Sequence, residues 1–267
     1  MLPSYRLKVS RFELGGSLQL HQKRAERGNL ERLAAGSRFG MPMAHLEQAA
    51  ILGLWRSACH HPANSQMTAA GGVRLITHGW AGWLRYADDG GRLIFLFLMP
   101  GDFIVPGLFE PGCCDLVSLT PMRTVDASVL HGDDKTDTPR SATLIADSGR
   151  YYRLLLIDHL TRLTNGCTTR SVAHLLAEFH SRSMRAGTGN ETRFSLPIGQ
   201  RILARALGRS TVQVNKVINQ LQVRGILKVG FDWVEVHDPA ALKALAGLTR
   251  VGAESARAST ALMPPEG

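Results

Sequence analysis

FSLPIGQRILARALGRSTVQVNKVINQLQVRGILKVGFDWVEVHDPAALKALAGL, from Phe194 to Leu248, is the stretch whose reading decides the fold. Ala204, Leu207 and Gly208 close a first short helix, with Gly208 just past its end, where a left-handed backbone is needed. Ser210 is placed to cap a second helix over Thr211 to Arg224, which Gly225 ends. Val214, Val217, Ile218 and Leu221 have the spacing of a buried helix face. Thr211, Val212, Gln213, Asn215, Lys216 and Asn219 are left on the other side. Lys228 to Val236 predicts the two strands of a wing. From Ser195 to Phe231 there are six Lys or Arg and no Asp or Glu. On most amphipathic helices such a polar face is only a solvated surface. Here the tight turn, the missing acids and the wing agree on a helix-turn-helix that lies on DNA. Amide side chains suit bidentate contact with adenine, and Lys suits guanine or phosphate. The candidate DNA-binding set is Arg201, Arg209, Ser210, Thr211, Val212, Gln213, Asn215, Lys216 and Asn219.

Upstream, RAGTGNETR at 185–193 reads as a linker, and Ser171 to Arg182 as a helix with Val172, Leu175, Leu176 and Phe179 on one face. Before it, Leu144, Tyr151, Leu155 and Leu163 mark a longer helix that Gly149 kinks or breaks and Asn165-Gly166 stops. HGDDKTDTP at 131–139 is a polar joint. Between 67 and 131 the character is that of strands: Val73–Thr77, Trp80–Tyr86, Arg92–Met99, Leu116–Leu119 and Thr124–Leu130, with DDGG at 88–91 as a hairpin turn. Short strands with close turns predict a small antiparallel barrel or jelly roll. Pro42 to Ser57 predicts an amphipathic helix, and residues 1–40 a basic arm with eight Lys or Arg against three Glu. The expected division is an arm over 1–40, a β-roll over 41–137, connecting helices over 138–184, a winged helix-turn-helix over 190–250 and a tail over 251–267.

The chain of 267 residues carries 31 basic and 22 acidic side chains, a formal net charge of +9. This excess favours a polyanionic partner without identifying one. The longest apolar run, Leu93 to Met99, suits a buried strand and is too short to span a membrane. MLPSYRLKVSRFELGG lacks the apolar core of a secretory signal, and Cys59, Cys113, Cys114 and Cys167 do not resemble a disulfide framework. A cytoplasmic protein is expected.

LARALGRSTVQVNKVINQL, VEVHDPAALKALAGL, GWAGWLRYADDGGRLIFLFLMPGDF and SVAHLLAEF together resemble the Crp/Fnr family of bacterial regulators over roughly residues 70–248. The first string is similar to a subgroup with a V-x-V-N-[RK] recognition helix. The resemblance implies an α+β chain: an N-terminal double-stranded β-helix (jelly-roll) sensor domain, a long dimerisation helix and a C-terminal winged helix-turn-helix. It implies a homodimer on a near-palindromic, double-stranded DNA operator, with RNA polymerase as a further partner. The two recognition helices would enter successive major grooves about 34 Å apart.

Departures from the family bear on the effector. Members that bind cyclic AMP hold the ribose with a Gly-Glu-Leu segment and the phosphate with an Arg-Ser pair. Here the loop reads GDFIVPGLFEPGCCDL, with Val105-Pro106 at the first place and Cys113-Cys114 at the second. A cyclic phosphate needs a cation or a nest of amides, so cyclic AMP is not expected. The four cysteines lack the spacing of an iron–sulfur cluster. Cys59-His60-His61-Pro62 offers ligands of the kind haem takes, but reads better as a polar loop. Cys113-Cys114 is a thiol pair near the effector pocket, or simply two small residues in a turn. Arg92, Cys113 and Cys114 are the candidate pocket residues; Arg74, Arg85 and Arg92 sit on strands, where such residues line an anionic pocket or, more often, form a solvated sheet face. A metalloenzyme of the cupin type shares such barrels. It needs a His-x-His pair, whereas adjacent His60 and His61 would point to opposite faces of a strand. No catalytic or metal-binding set is therefore expected. A family member with no small effector remains a third reading.

Overall fold

The computed structural model describes residues 57–69, 72–88, 90–127 and 140–247. The basic arm, the expected helix over Pro42–Ser57 (Ser57 apart), the joint at 131–139 and the tail over 251–267 lie outside these residues.

Eight short strands come first: β1 (Cys59–His61), β2 (Gln66–Met67), β3 (Arg74–His78), β4 (Ala81–Tyr86), β5 (Arg92–Leu98), β6 (Phe103–Ile104), β7 (Asp115–Ser118) and β8 (Met122–Asp126). They pair antiparallel into two four-stranded sheets, ordered β1-β8-β3-β6 and β2-β7-β4-β5. Each strand expected from the sequence is present, with ends shifted by one to a few residues. Cys59–His61 is a strand rather than the polar loop expected: it pairs with β8, and the His61 ring lies 3.1 Å from the Thr124 hydroxyl.

Leu75, Ile76, Leu96, Leu98, Phe103 and Val125 fill the space between the sheets. The outer face of the β2-β7-β4-β5 sheet is covered as well. Leu84, Ile94, Phe97 and Val117 there join a second core with helix residues Val172, Leu176 and Phe179. Burial on both faces explains why Ile94–Met99 is an unbroken apolar run instead of an alternating one, while Leu93 at its start stays exposed. Trp80, Phe97 and Phe179 meet edge to face, with Phe179 centred 4.8 Å from Trp80 and 5.3 Å from Phe97.

Helix α1 (Arg140–Thr164) follows and runs straight through Gly149. A helical Gly costs only about 1 kcal/mol relative to Ala, which the packing of its neighbours offsets. Leu144, Ser148, Tyr152, Leu155, His159 and Arg162 are its buried face, at spacings of three and four. The Tyr152 hydroxyl donates to the Phe103 carbonyl, pinning the helix to the roll. Leu144 and Leu155 of the expected stripe therefore face the chain's own roll. The apolar side chains left open are Leu154, Ile157, Leu160 and Leu163, at 41–60% exposure.

Helix α2 (Thr168–Arg185) leads to β9 (Arg193–Ser195), α3 (Gln200–Ala206), α4 (Thr211–Val223), β10 (Leu227–Val229), β11 (Trp233–Val236) and α5 (Pro239–Ala246). The wing has three strands, ordered β10-β11-β9, where two were expected. β9 takes up the end of the stretch read as linker.

Four buried charges join the roll, α1 and α2. Glu178 of α2 accepts from Arg162 of α1 at 2.6 Å and from Arg182 at 2.7 Å. Arg182 also pairs with Asp102, in the turn after β5, and donates to the Phe97 carbonyl at 2.8 Å. Burial alone would raise the Glu178 carboxyl, but the two guanidiniums hold it below its ordinary range. At Asp102 burial outweighs Arg182 and the Met99 amide, so its carboxyl is pushed up.

Candidate nucleic-acid interface

The site is built on α3, the turn after it, and α4. Leu203, Ala204, Ala206 and Leu207 bury one side of the α3 segment against Val214, Val217, Ile218 and Leu221 of α4. Gly208 has φ +59°, as the expected helix stop requires. Ser210 caps α4: its hydroxyl accepts from the Gln213 amide at 3.2 Å, and the Gln213 side chain accepts from the Ser210 amide at 3.0 Å. This reciprocal capping box satisfies two otherwise orphaned N–H groups and fixes the start of α4.

Thr211, Val212, Gln213, Lys216 and Asn219 are exposed along one side of α4, and Arg201 is exposed on α3. Asn215 is half-buried, and its Oδ1 is enclosed without a hydrogen-bond partner. An open groove of about 880 Å³ runs along this side, lined by Thr169 of α2 with Val212, Asn215, Lys216, Asn219 and Arg224. Thr169 and Arg224 were not among the residues expected from sequence. Arg224 ends the helix rather than continuing its polar stripe, and Thr169 arrives from another helix. Among the described residues, Arg201, Arg205, Lys216, Arg224 and Lys228 take part in no ion pair. Their charges are uncompensated, as a surface for a polyanion requires.

Two expected contact residues have structural partners as well. Arg209 donates to the Asn165 carbonyl at 2.6 Å, bracing the turn against the end of α1. Gln213 spends its carbonyl oxygen on the capping box, which leaves its NH₂ for a ligand.

Arg92 donates to Asn64 at 3.1 Å and lies over the Tyr86 ring. Cys113 and Cys114 directly precede β7, which β4 separates from β5. Burial, then the neighbouring Cys113, pushes the Cys114 thiol up to about 11, which disfavours its thiolate at neutral pH. Arg85 of β4 is the cation whose charge reaches Cys114. The pairing of Leu84 with Asp115 brings it there, and the loop sequence alone does not reveal it. Phe109 from the same loop packs edge-on against Trp83 and Phe95, at 4.9 and 5.4 Å between ring centres. Among the described residues no three His, Cys, Asp or Glu side chains are grouped to hold a metal, and no helix is long and apolar enough to cross a membrane.

Residues 170–245, from within α2 into α5, match the Crp-like helix-turn-helix domain. A comparison with curated proteins finds no match. Among solved structures the chain is similar to FixK2 from Bradyrhizobium japonicum, at 19% identity and TM-score 0.56, over 70% of this chain and 96% of that one. It is also similar to TTHA1359, a CRP/FNR family transcriptional regulator from Thermus thermophilus, at 18% identity and TM-score 0.52, over 71% and 98% of the two chains. TTHB099, a CRP family regulator of the same organism, matches at 14% identity and TM-score 0.52, over 71% and 96%. At such identities the likeness is one of fold. The chain thus carries a Crp-like helix-turn-helix domain over residues 170–245, on a fold shared with transcriptional regulators of the CRP/FNR kind.

Proposed function

We propose that this protein is a sequence-specific DNA-binding transcription regulator of Crp/Fnr type. It acts as a homodimer on a near-palindromic operator, with RNA polymerase as its further partner, and cyclic AMP does not activate it. The observation that carries the reading is α4: a capped helix whose open side presents Gln213, Lys216 and Asn219, flanked by unpaired cations. That side has the hydrogen-bonding groups that read base edges in a major groove. The dimer is supported by Leu154, Ile157, Leu160 and Leu163, left open on α1 after its other side has packed on the roll. The cyclic AMP reading rests on the loop chemistry at Val105-Pro106 and Cys113-Cys114, with Phe109 folded against Trp83. Arg85 is the one cation that reaches this loop from β4, so millimolar cyclic AMP is the direct challenge. A ligand at a hundred times its Kd stabilises a protein by about 2.7 kcal/mol; without cyclic AMP binding the Tm stays unchanged, and a raised Tm would overturn the reading.

The test of sequence reading uses a duplex enriched by the protein from a random pool, and its scrambled counterpart, at several salt concentrations. Lys216→Ala and Asn219→Ala should narrow the ratio between the two duplexes, about 1–3 kcal/mol for each bidentate pair lost. Arg201→Ala should weaken both alike and flatten the salt slope by about one unit. An unchanged ratio in both α4 variants would mean that α4 does not read sequence.

A further inference from the structure

The turn between α3 and α4 rests on the end of another helix. α1 stops at Thr164 and α2 begins at Thr168, so Asn165, Gly166 and Cys167 alone join them. The last carbonyls of a helix have no partner within it and must find one elsewhere. Here the Arg162 carbonyl accepts from the Ser171 hydroxyl at 2.9 Å, and the Asn165 carbonyl accepts from Arg209 at 2.6 Å. A guanidinium at this place also meets the negative end of the helix dipole. Asn165 is itself held, since its amide donates to the Thr161 carbonyl at 3.2 Å and its Oδ1 accepts from the Cys167 amide at 2.9 Å. Beside Arg209, Gly208 lies against α1: a Cβ there would stand 3.5 Å from Leu163 Cδ2. Leu163 is the last residue of the open row on α1. Arg209 is followed directly by Ser210, whose cap starts α4. One half-buried side chain thus connects the helix with the open apolar row to the start of the helix on the groove side.

We propose that Arg209 is a positioning residue for the spacing of the two operator half-sites: by tying the start of α4 to the end of α1, it fixes the tilt of α4 within the dimer. This rests on the reading of the protein as a dimeric DNA-binding regulator. The guanidinium is poorly placed for the other role open to it, a phosphate contact. Phosphate is gripped best by two parallel N–H groups on one edge of the guanidinium. In Arg209 the Nε is enclosed without an acceptor and Nη2 is spent on Asn165, which takes a nitrogen from each edge. Arg201 and Arg205 on α3 are exposed instead. The leverage of the contact follows from the length of the helix it holds. α4 has 13 residues and is therefore about 20 Å long. A tilt of about 10° at its start moves its far end by roughly 3.5 Å, about the rise of one base pair. Two α4 helices in a symmetric dimer tilt together, so a looser turn weakens the preference for one spacer. Lys216 and Asn219 are untouched by it, and the sequence read within each half-site stays the same.

The experiment compares the full-length protein with Arg209→Met, Arg209→Lys and Arg209→Gln, each well below its own Tm. The duplexes are the inverted repeat enriched by the wild-type protein from a random pool, the same repeat with one base pair added or removed at its centre, and a single half-site. Arg209→Met should bind the single half-site with wild-type affinity and salt slope. Its preference for the native spacer over the altered ones should fall about tenfold, the scale of one charge-assisted hydrogen bond. Arg209→Lys, which keeps a donor and the charge, should restore most of that preference. Arg209→Gln, with no charge and a shorter reach, repeats the test should Arg209→Met not fold. Equal weakening of Arg209→Met on every duplex, with a salt slope lower by about one unit, would make Arg209 a phosphate contact and overturn the proposal. A wild-type spacer preference in either folded neutral variant would overturn it too, as would loss of the fold in both, which would assign Arg209 to stability alone. A wild-type protein that selects no inverted repeat would overturn the dimeric-regulator reading, and the proposal with it.

Discussion

Ser210 and Gln213 show how single residues set the interface. Their reciprocal hydrogen bonds start α4 at a defined point, and the register of Lys216 and Asn219 follows from that point. Ser210→Ala should lower stability by about 1 kcal/mol, read as a shift of the urea midpoint. Gln213→Ala should do two things at once, weakening the cap and removing an amide from the groove side. A variant that lost operator preference with no stability change would show the cap to be idle. Ser210 as a cap and Gly208 as a stop were legible in the sequence because both act within a few residues of themselves, Ser210 through its hydroxyl on the Gln213 amide and Gly208 through its own backbone. The second role of Arg209 was not. Its partner Asn165 lies 44 residues away, and no local pattern joins them.

Among the elements, α1 and α2 carry the connection between roll and DNA module. Arg162, Glu178, Arg182 and Asp102 are fully enclosed, and together they balance two positive with two negative charges. Removing one member of a buried pair leaves its partner uncompensated at a cost of about 3–5 kcal/mol. Glu178→Gln, which strands Arg162 and leaves Arg182 with Asp102 alone, should therefore be strongly destabilising by denaturant titration, and a loss below about 1 kcal/mol would contradict the account. Two imidazoles face the same charges. Burial, reinforced by Arg162 and opposed by Glu178, lowers His159 and His174 to about 4. An unfolded His titrates near 6.5. Between about pH 6.5 and 4 the unfolded chain therefore binds protons that the native state refuses, and stability falls as the pH drops. Each imidazole should contribute on the order of 2–3 kcal/mol. Glu178, with its lowered carboxyl, adds to the acid sensitivity below that window. The raised carboxyls of Asp102 and Asp158, the latter 3.9 Å from His174, act in the opposite sense. The double variant His159→Gln, His174→Gln should flatten the pH dependence of the urea midpoint across this window, and an unchanged slope would place the acid sensitivity elsewhere.

Element existence was legible wherever a period was clean, as in α4 with Val214, Val217 and Leu221. It failed where an element is too short to show one: β9 is three residues in a polar stretch, visible only through its pairing with β11. On α1, apolar residues occupy both sides of the helix. Spacing could not tell that Leu144 and Leu155 face the roll while Leu154, Ile157 and Leu160 stay open. The four-charge cluster had no signature either, since only Glu178 and Arg182 are one helical turn apart.

At the scale of the whole molecule, the proposed dimer makes a specific demand on α1. The open row on α1 should be covered by a second copy. Sedimentation should give a dimer at micromolar concentration, and Ile157→Lys with Leu160→Lys should give a monomer that still folds. A wild-type monomer at that concentration, with and without DNA, would contradict this. A dimer of this kind holds two α4 helices at a fixed separation, so its DNA site must carry that symmetry. The most direct measurement is selection of bound duplexes from a random pool by the full-length wild-type protein, followed by sequencing. The account predicts an enriched inverted repeat with half-site centres about one helical turn apart, roughly 10–10.5 base pairs or a multiple, and binding that weakens steeply with salt. No enrichment over the starting pool, or a single unrepeated element, would contradict it.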